Sequence, residues 1–156
     1  MKVLHPMSPS PPTHRLLGAA LVVYSVLLGI ALLAPTSGTQ SGMASWVVDL
    51  GTWIGFAPET ASQARAEFLC NVAILAPVSA LGSLVWPSTT WRDWTAYAFV
   101  IAVGVEACQG LLLPGRTASQ VDIVANTLGG LVGAVVVLAA RKGREELDRR
   151  ARLDEH

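Results

Sequence analysis

Apolar residues fall into four long blocks, Leu16–Ala34, Ala66–Trp86, Trp94–Leu113 and Val121–Ala140, and the longest connection between them runs from Pro35 to about Gln63. A helix of roughly 20 residues crosses a hydrocarbon core of about 30 Å, and each block has about that reach. The first is interrupted only by Tyr24 and Ser25. Blocks that are apolar all round at this length are not needed by a soluble core. The pattern predicts an all-α integral membrane protein, a four-helix bundle. The first block exceeds the apolar stretch of a cleaved leader, and Pro35 stands where cleavage after Ala34 would fall, so a retained helix is expected.

Between the first two blocks, Trp46, Leu50, Trp53, Ile54 and Ala57 recur at helical spacing, with Ser45, Asp49 and Thr52 elsewhere around the turn. That suits a short interfacial helix in the first outer loop, with tryptophans at headgroup depth. A loop folded over the bundle is the alternative. "TASQ" occurs at Thr60–Gln63 and again at Thr117–Gln120, each with the spacing of a capping box. "PSTTWRD", bracketed by Trp86, Trp91 and Trp94, reads as a tight turn with aromatic anchors.

Three regions follow. Residues 1–14 are rich in Pro and Ser and are expected to be a disordered tail. Residues 15–141 form the membrane domain. Residues 142–156 are charged, and Glu145–Arg149, Glu146–Arg150 and Asp148–Arg152 are spaced for an exposed helix.

The chain has 156 residues, 52% hydrophobic and 14% charged, which suits one domain. Its formal net charge is zero, so nothing suggests nucleic acid. The placement of cations says more. With the amino terminus inside, the cytoplasmic parts hold Lys2, Arg15, Arg92, Arg141, Lys142, Arg144, Arg149, Arg150 and Arg152, against Arg65 and Arg116 outside. Both termini are therefore expected to be cytoplasmic. Cys70 and Cys108 lie within spans and read as packing groups rather than a disulfide. The histidines lie in the tails, so no metal site is expected, and no cofactor motif is present.

The informative residues are polar ones inside the spans. Asn71, Glu106 and Asn126 lie about 8, 10 and 8 Å below the outer helix ends, at 1.5 Å per residue. Three antiparallel helices would therefore bring them to one layer. Glu67–Asn71, Glu106–Gln109 and Asp122–Asn126 are each three or four apart and share helix faces. Arg116 caps this layer from the loop "PGRTASQ", and Arg65 stands at its mouth. Ionisable residues in spans usually serve function, whereas amides also act as interhelical glue. Gly129 with Gly133, and Gly130 with Ala134, are spaced for close helix approach, as are Gly104 and Cys108. Pro77 should free a carbonyl near Ala73 and kink its helix.

"EACQ" at Glu106–Gln109, followed by Arg116, Asp122, Asn126, Gly129, Gly130 and Gly133, resembles the signature of the VanZ-like family. "NVAILAP" at Asn71–Pro77 resembles that family's second motif, with Leu75 and Ser79 departing from it. The resemblance implies a small bacterial inner-membrane (plasma membrane) protein, and the namesake is associated with tolerance to the glycopeptide teicoplanin. Ser119 and Val121 replace acidic residues frequent in the family, which weakens a multi-carboxylate metal site.

Asn71, Glu106, Gln109, Arg116, Asp122 and Asn126 are thus the candidate ligand-binding residues. Membrane lipids or a lipid-linked cell-wall precursor are the expected partners, the rim arginines holding phosphate or carboxylate. A desolvated Glu106 is also a candidate general acid or base, although no nucleophile accompanies it. A small lipid or proton transporter is a third reading, which the lack of polar residues in the inner half of each span disfavours. A homo-oligomer stays open.

Overall fold

The computed structural model describes residues 11–33, 38–57, 62–113 and 118–154. They form five helices: α1 (Pro11–Leu32), α2 (Gly38–Trp53), α3 (Gln63–Val85), α4 (Trp91–Leu112) and α5 (Gln120–Asp154). No strand occurs among the described residues. Helices α1, α3, α4 and α5 are long and apolar enough to span a bilayer. Large side chains such as Ile30, Phe99, Val100 and Leu111 stay exposed along them, as lipid-facing surfaces require. The first helix starts at Pro11, inside the stretch expected to be a tail.

Helix α5 is the hub. It packs on α3 and on α4, while α3 and α4 scarcely touch each other, and α1 and α2 lie against α3. Small residues make this possible. A side chain at Gly129 would stand 2.6 Å from the carbonyl oxygen of Val72, and one at Gly133 would collide with Ala76 and Ser79 of α3. Gly130 faces the other way, against Ala98 of α4. The glycine strip therefore serves two intramolecular seams, since lipid tails give helices no hydrophobic reason to pair and close packing must do it. Gly104 and Cys108 do not act likewise. Gly104 has open space where a Cβ would stand, Cys108 is exposed, and α4 packs instead through Ala98, Ala102, Glu106 and Gln109.

The expected helix in the first connection is present as α2, seated on α3 with Ala44 fully buried. Its other faces are split: Met43, Trp46, Leu50 and Trp53 form an exposed apolar line, and Ser45, Asp49 and Thr52 a polar one.

The two ends of the bundle differ. At the end where α3 stops and α4 starts, Arg141 donates to the carbonyl of Ser83 at 2.6 Å, and a ring nitrogen of His14 lies 3.0 Å from that of Val85. Both occupy the negative end of the α3 dipole, where cationic or donor groups are favoured. Helix α4 starts with a reciprocal capping box between Thr90 and Asp93, a T-x-x-D signal inside "PSTTWRD". Trp94 lies over Gly82 and donates its indole N–H to Thr89 at 2.8 Å. Midway along α3, Tyr24 donates to the carbonyl of Ile74 at 2.7 Å, one residue from the carbonyl that Pro77 deprives of its partner. Ser79 and Ser83 are buried in the lower half of α3, so that half is not wholly apolar as expected. Beyond the bundle, α5 continues as an exposed charged helix in which Glu146 pairs with both Arg149 and Arg150.

Candidate functional site

The opposite end holds the polar cluster, where α1 and α4 end and α3 and α5 begin. Glu106 lies on the buried line of α4 and is 3% exposed. Its Oε2 accepts the backbone N–H of Ser119 at 2.6 Å. Ser119 stands just before Gln120, the first residue of α5, and its hydroxyl accepts the N–H of Asp122 at 3.2 Å. Ser119 is therefore the residue that caps α5, while Thr117 of the expected box lies outside the described residues. Two carboxylates, Glu106 and Asp122, thus sit at the positive end of one helix, where anionic groups are favoured.

Asp122 also reaches α3: its Oδ1 accepts from the Asn71 amide at 2.9 Å. This bond ties α3 to α5, which also meet where Gly129 lies against Val72 and Leu75. The chain of contacts runs from Glu106 to Ser119, from Ser119 to Asp122 and from Asp122 to Asn71. It joins α4, α5 and α3 at one end, although α3 and α4 barely meet directly.

The remaining expected site residues have separate fates. Gln109 is buried, but its amide donates 2.6 Å to the carbonyl of Leu32, the last residue of α1. It closes a helix end rather than facing Asn71 or Asp122. Glu67 is exposed and accepts from Gln63 at 3.0 Å, one turn before it on α3. Arg65 is exposed near the start of the same helix. Arg116 lies outside the described residues, as does Thr60 of the other expected capping box; α3 has Ser62 at its N-cap position.

Asn126 is the exception in the cluster. It is 5% exposed and makes no hydrogen bond to any described residue. No fully enclosed polar side-chain atom among those residues lacks a partner. The Asn126 amide must therefore open onto accessible space. A sealed, unpaired amide would cost roughly 1–3 kcal/mol. Asn126 lies one turn above both Gly129 and Gly130, so it points into the groove between the α3 and α4 seams.

Sequence reasoning reached Asn71, Glu106, Asp122 and Asn126 through their rarity in apolar segments. It missed the link from Glu106 to Ser119, whose only local signal is the S-x-x-D start of α5. The Tyr24, His14 and Arg141 ties had no local signal at all.

These features define a class: a helical membrane protein whose spans gather ionisable and amide side chains at one end. A family model described as VanZ/LLP1 matches residues 18–141, and the chain belongs to that family. No curated protein and no solved structure matches it.

Proposed function

We propose that the cluster of Asn71, Glu106, Asp122 and Asn126 binds the polar head of a membrane lipid or of a lipid-linked cell-wall intermediate. The site opens toward the outer leaflet of the bacterial inner membrane, with both termini cytoplasmic. The observation that carries this reading is the meeting of three span-borne polar elements, from α3, α4 and α5, at one end of the bundle. Such groups are expensive in hydrocarbon and mark ligand or ion paths. Apolar helix surfaces around the cluster suit acyl chains, and the exposed Trp46 and Trp53 of α2 suit the headgroup zone beside it. The orientation is supported by cations concentrated at the other end, where Arg15, Arg92, Arg141, Lys142 and Arg144 lie.

The test is native mass spectrometry of protein extracted from its membrane. Wild type is expected to retain a headgroup-specific lipid adduct. The paired substitution Asn71→Ala with Asp122→Ala should lose it while keeping its helical circular dichroism. Equal adducts in both proteins would overturn the reading.

A further inference from the structure

We propose that the end of the bundle opposite the polar cluster holds a second site, which takes the phosphate of an anionic phospholipid on Arg141. The Arg141 guanidinium carries five N–H donors in a rigid fork. Among the described residues its one contact is to the carbonyl of Ser83 at 2.6 Å, and it makes no ion pair. Arg141 is half-buried, whereas Lys142, Arg144, Arg149 and Arg150 after it are exposed. A cation taken partly out of water loses solvation, which a neutral carbonyl offsets less well than an anion does.

Capping alone does not require an arginine. His14 serves the carbonyl of Val85, two residues on, with a single ring nitrogen at 3.0 Å. The planar fork matches instead the oxygens of a phosphate, which it can hold with two parallel hydrogen bonds. Ser83 supplies a further donor. It is buried, its hydroxyl makes no hydrogen bond to a described residue, and its oxygen is not fully enclosed. The hydroxyl and the guanidinium therefore stand at one turn of α3.

The surrounding charge favours an anion. At this end Arg15, Arg92, Arg141, Lys142 and Arg144 outnumber Asp93 and Glu145, and Glu146 beyond them is paired with Arg149 and Arg150. The occupant is a lipid rather than a dissolved ion because exposed Leu16, Leu138 and Trp86 border the same end. Apolar flanks bearing a tryptophan set this turn at headgroup depth, where an acyl chain can lie below the phosphate. Basic pockets between helices at a membrane surface hold anionic headgroups in this way.

The test is native mass spectrometry of the full chain in detergent, titrated with phosphatidylglycerol and phosphatidylcholine of identical acyl chains. Wild type is expected to retain phosphatidylglycerol about tenfold more tightly, the scale of one charge-assisted contact. Arg141→Gln should remove that preference, Arg141→Lys should keep only part of it, and Arg149→Gln, on the exposed extension, should keep all of it. Ser83→Ala, which retains the carbonyl, should lower it about threefold. No preference in wild type, or an equal loss in Arg141→Gln and Arg149→Gln, overturns the site. An unchanged preference in Ser83→Ala overturns the part given to the hydroxyl. Displacement of the lipid by glycerol 1-phosphate at equal concentration overturns the lipid assignment in favour of a soluble phosphate. Should Arg141→Gln fail to fold, the guanidinium Nε–H resonance of Arg141 in wild type decides: it moves with phosphatidylglycerol and not with phosphatidylcholine, or the proposal is rejected. The polar cluster at the other end is untouched by any of these outcomes.

Discussion

The Oε2 of Glu106 and the backbone nitrogen of Ser119 lie 2.6 Å apart, joining the buried face of α4 to the start of α5. This contact explains why a carboxylate is tolerated in an apolar helix. Its charge meets a backbone donor at the positive end of a helix, so its desolvation is partly offset. Glu106 is thereby a positioning residue: it fixes where α5, with Asp122 and Asn126, begins.

Removing that acceptor should loosen the whole end of the bundle. Glu106→Ala leaves the Ser119 N–H without its carboxylate and is expected to lower stability by roughly 1–3 kcal/mol. Glu106→Gln keeps an acceptor oxygen and should retain most of it. Reversible unfolding in detergent micelles reads the difference, and equal stability of the Ala variant and wild type would remove Glu106 from this role.

The Asn71–Asp122 bond couples α3 to α5. A double-mutant cycle with Asn71→Ala and Asp122→Ala should give a coupling of about 0.6 kcal/mol, and up to about 1.7, the range found for interhelical hydrogen bonds in membranes. A coupling of zero would mean that the two side chains do not act as a pair.

Glycines that look alike in the sequence should behave oppositely. Gly133→Ala places a methyl group into the Ala76 carbonyl and the Ser79 hydroxyl, so it should cost about 1–3 kcal/mol. Gly104→Ala meets nothing and should be neutral or stabilising by up to about 1 kcal/mol through helix propensity. Thermal unfolding of the two single variants, run side by side, checks the contrast.

Orientation is tested by labelling. In a background lacking Cys70 and Cys108, Trp53→Cys should react with an impermeant maleimide on intact cells. Arg144→Cys should react only after permeabilisation. The reverse pattern would turn the cluster toward the cytoplasm and exclude an outer-leaflet ligand.

Much of this architecture was legible without coordinates. Four spans follow from apolar length, because a bilayer demands it of any helix that crosses. The helix between the first two spans follows from the spacing of Trp46, Leu50 and Trp53. The Gly129–Gly133 seam follows from small residues one turn apart, yet the same logic misplaced Gly104, because spacing does not say which face meets a neighbour.

The chain by itself determined that it spans a membrane and that its polar groups gather near one end, since hydropathy and helical period act locally along the sequence. Only the tertiary structure decided how those groups are used. Gln109 went to the end of α1, Glu106 to the cap of α5, Asp122 to Asn71, and Asn126 to no described residue. Hydrogen bonds span about 3 Å and depend on the rotation and register of neighbouring helices, which no one-dimensional pattern records.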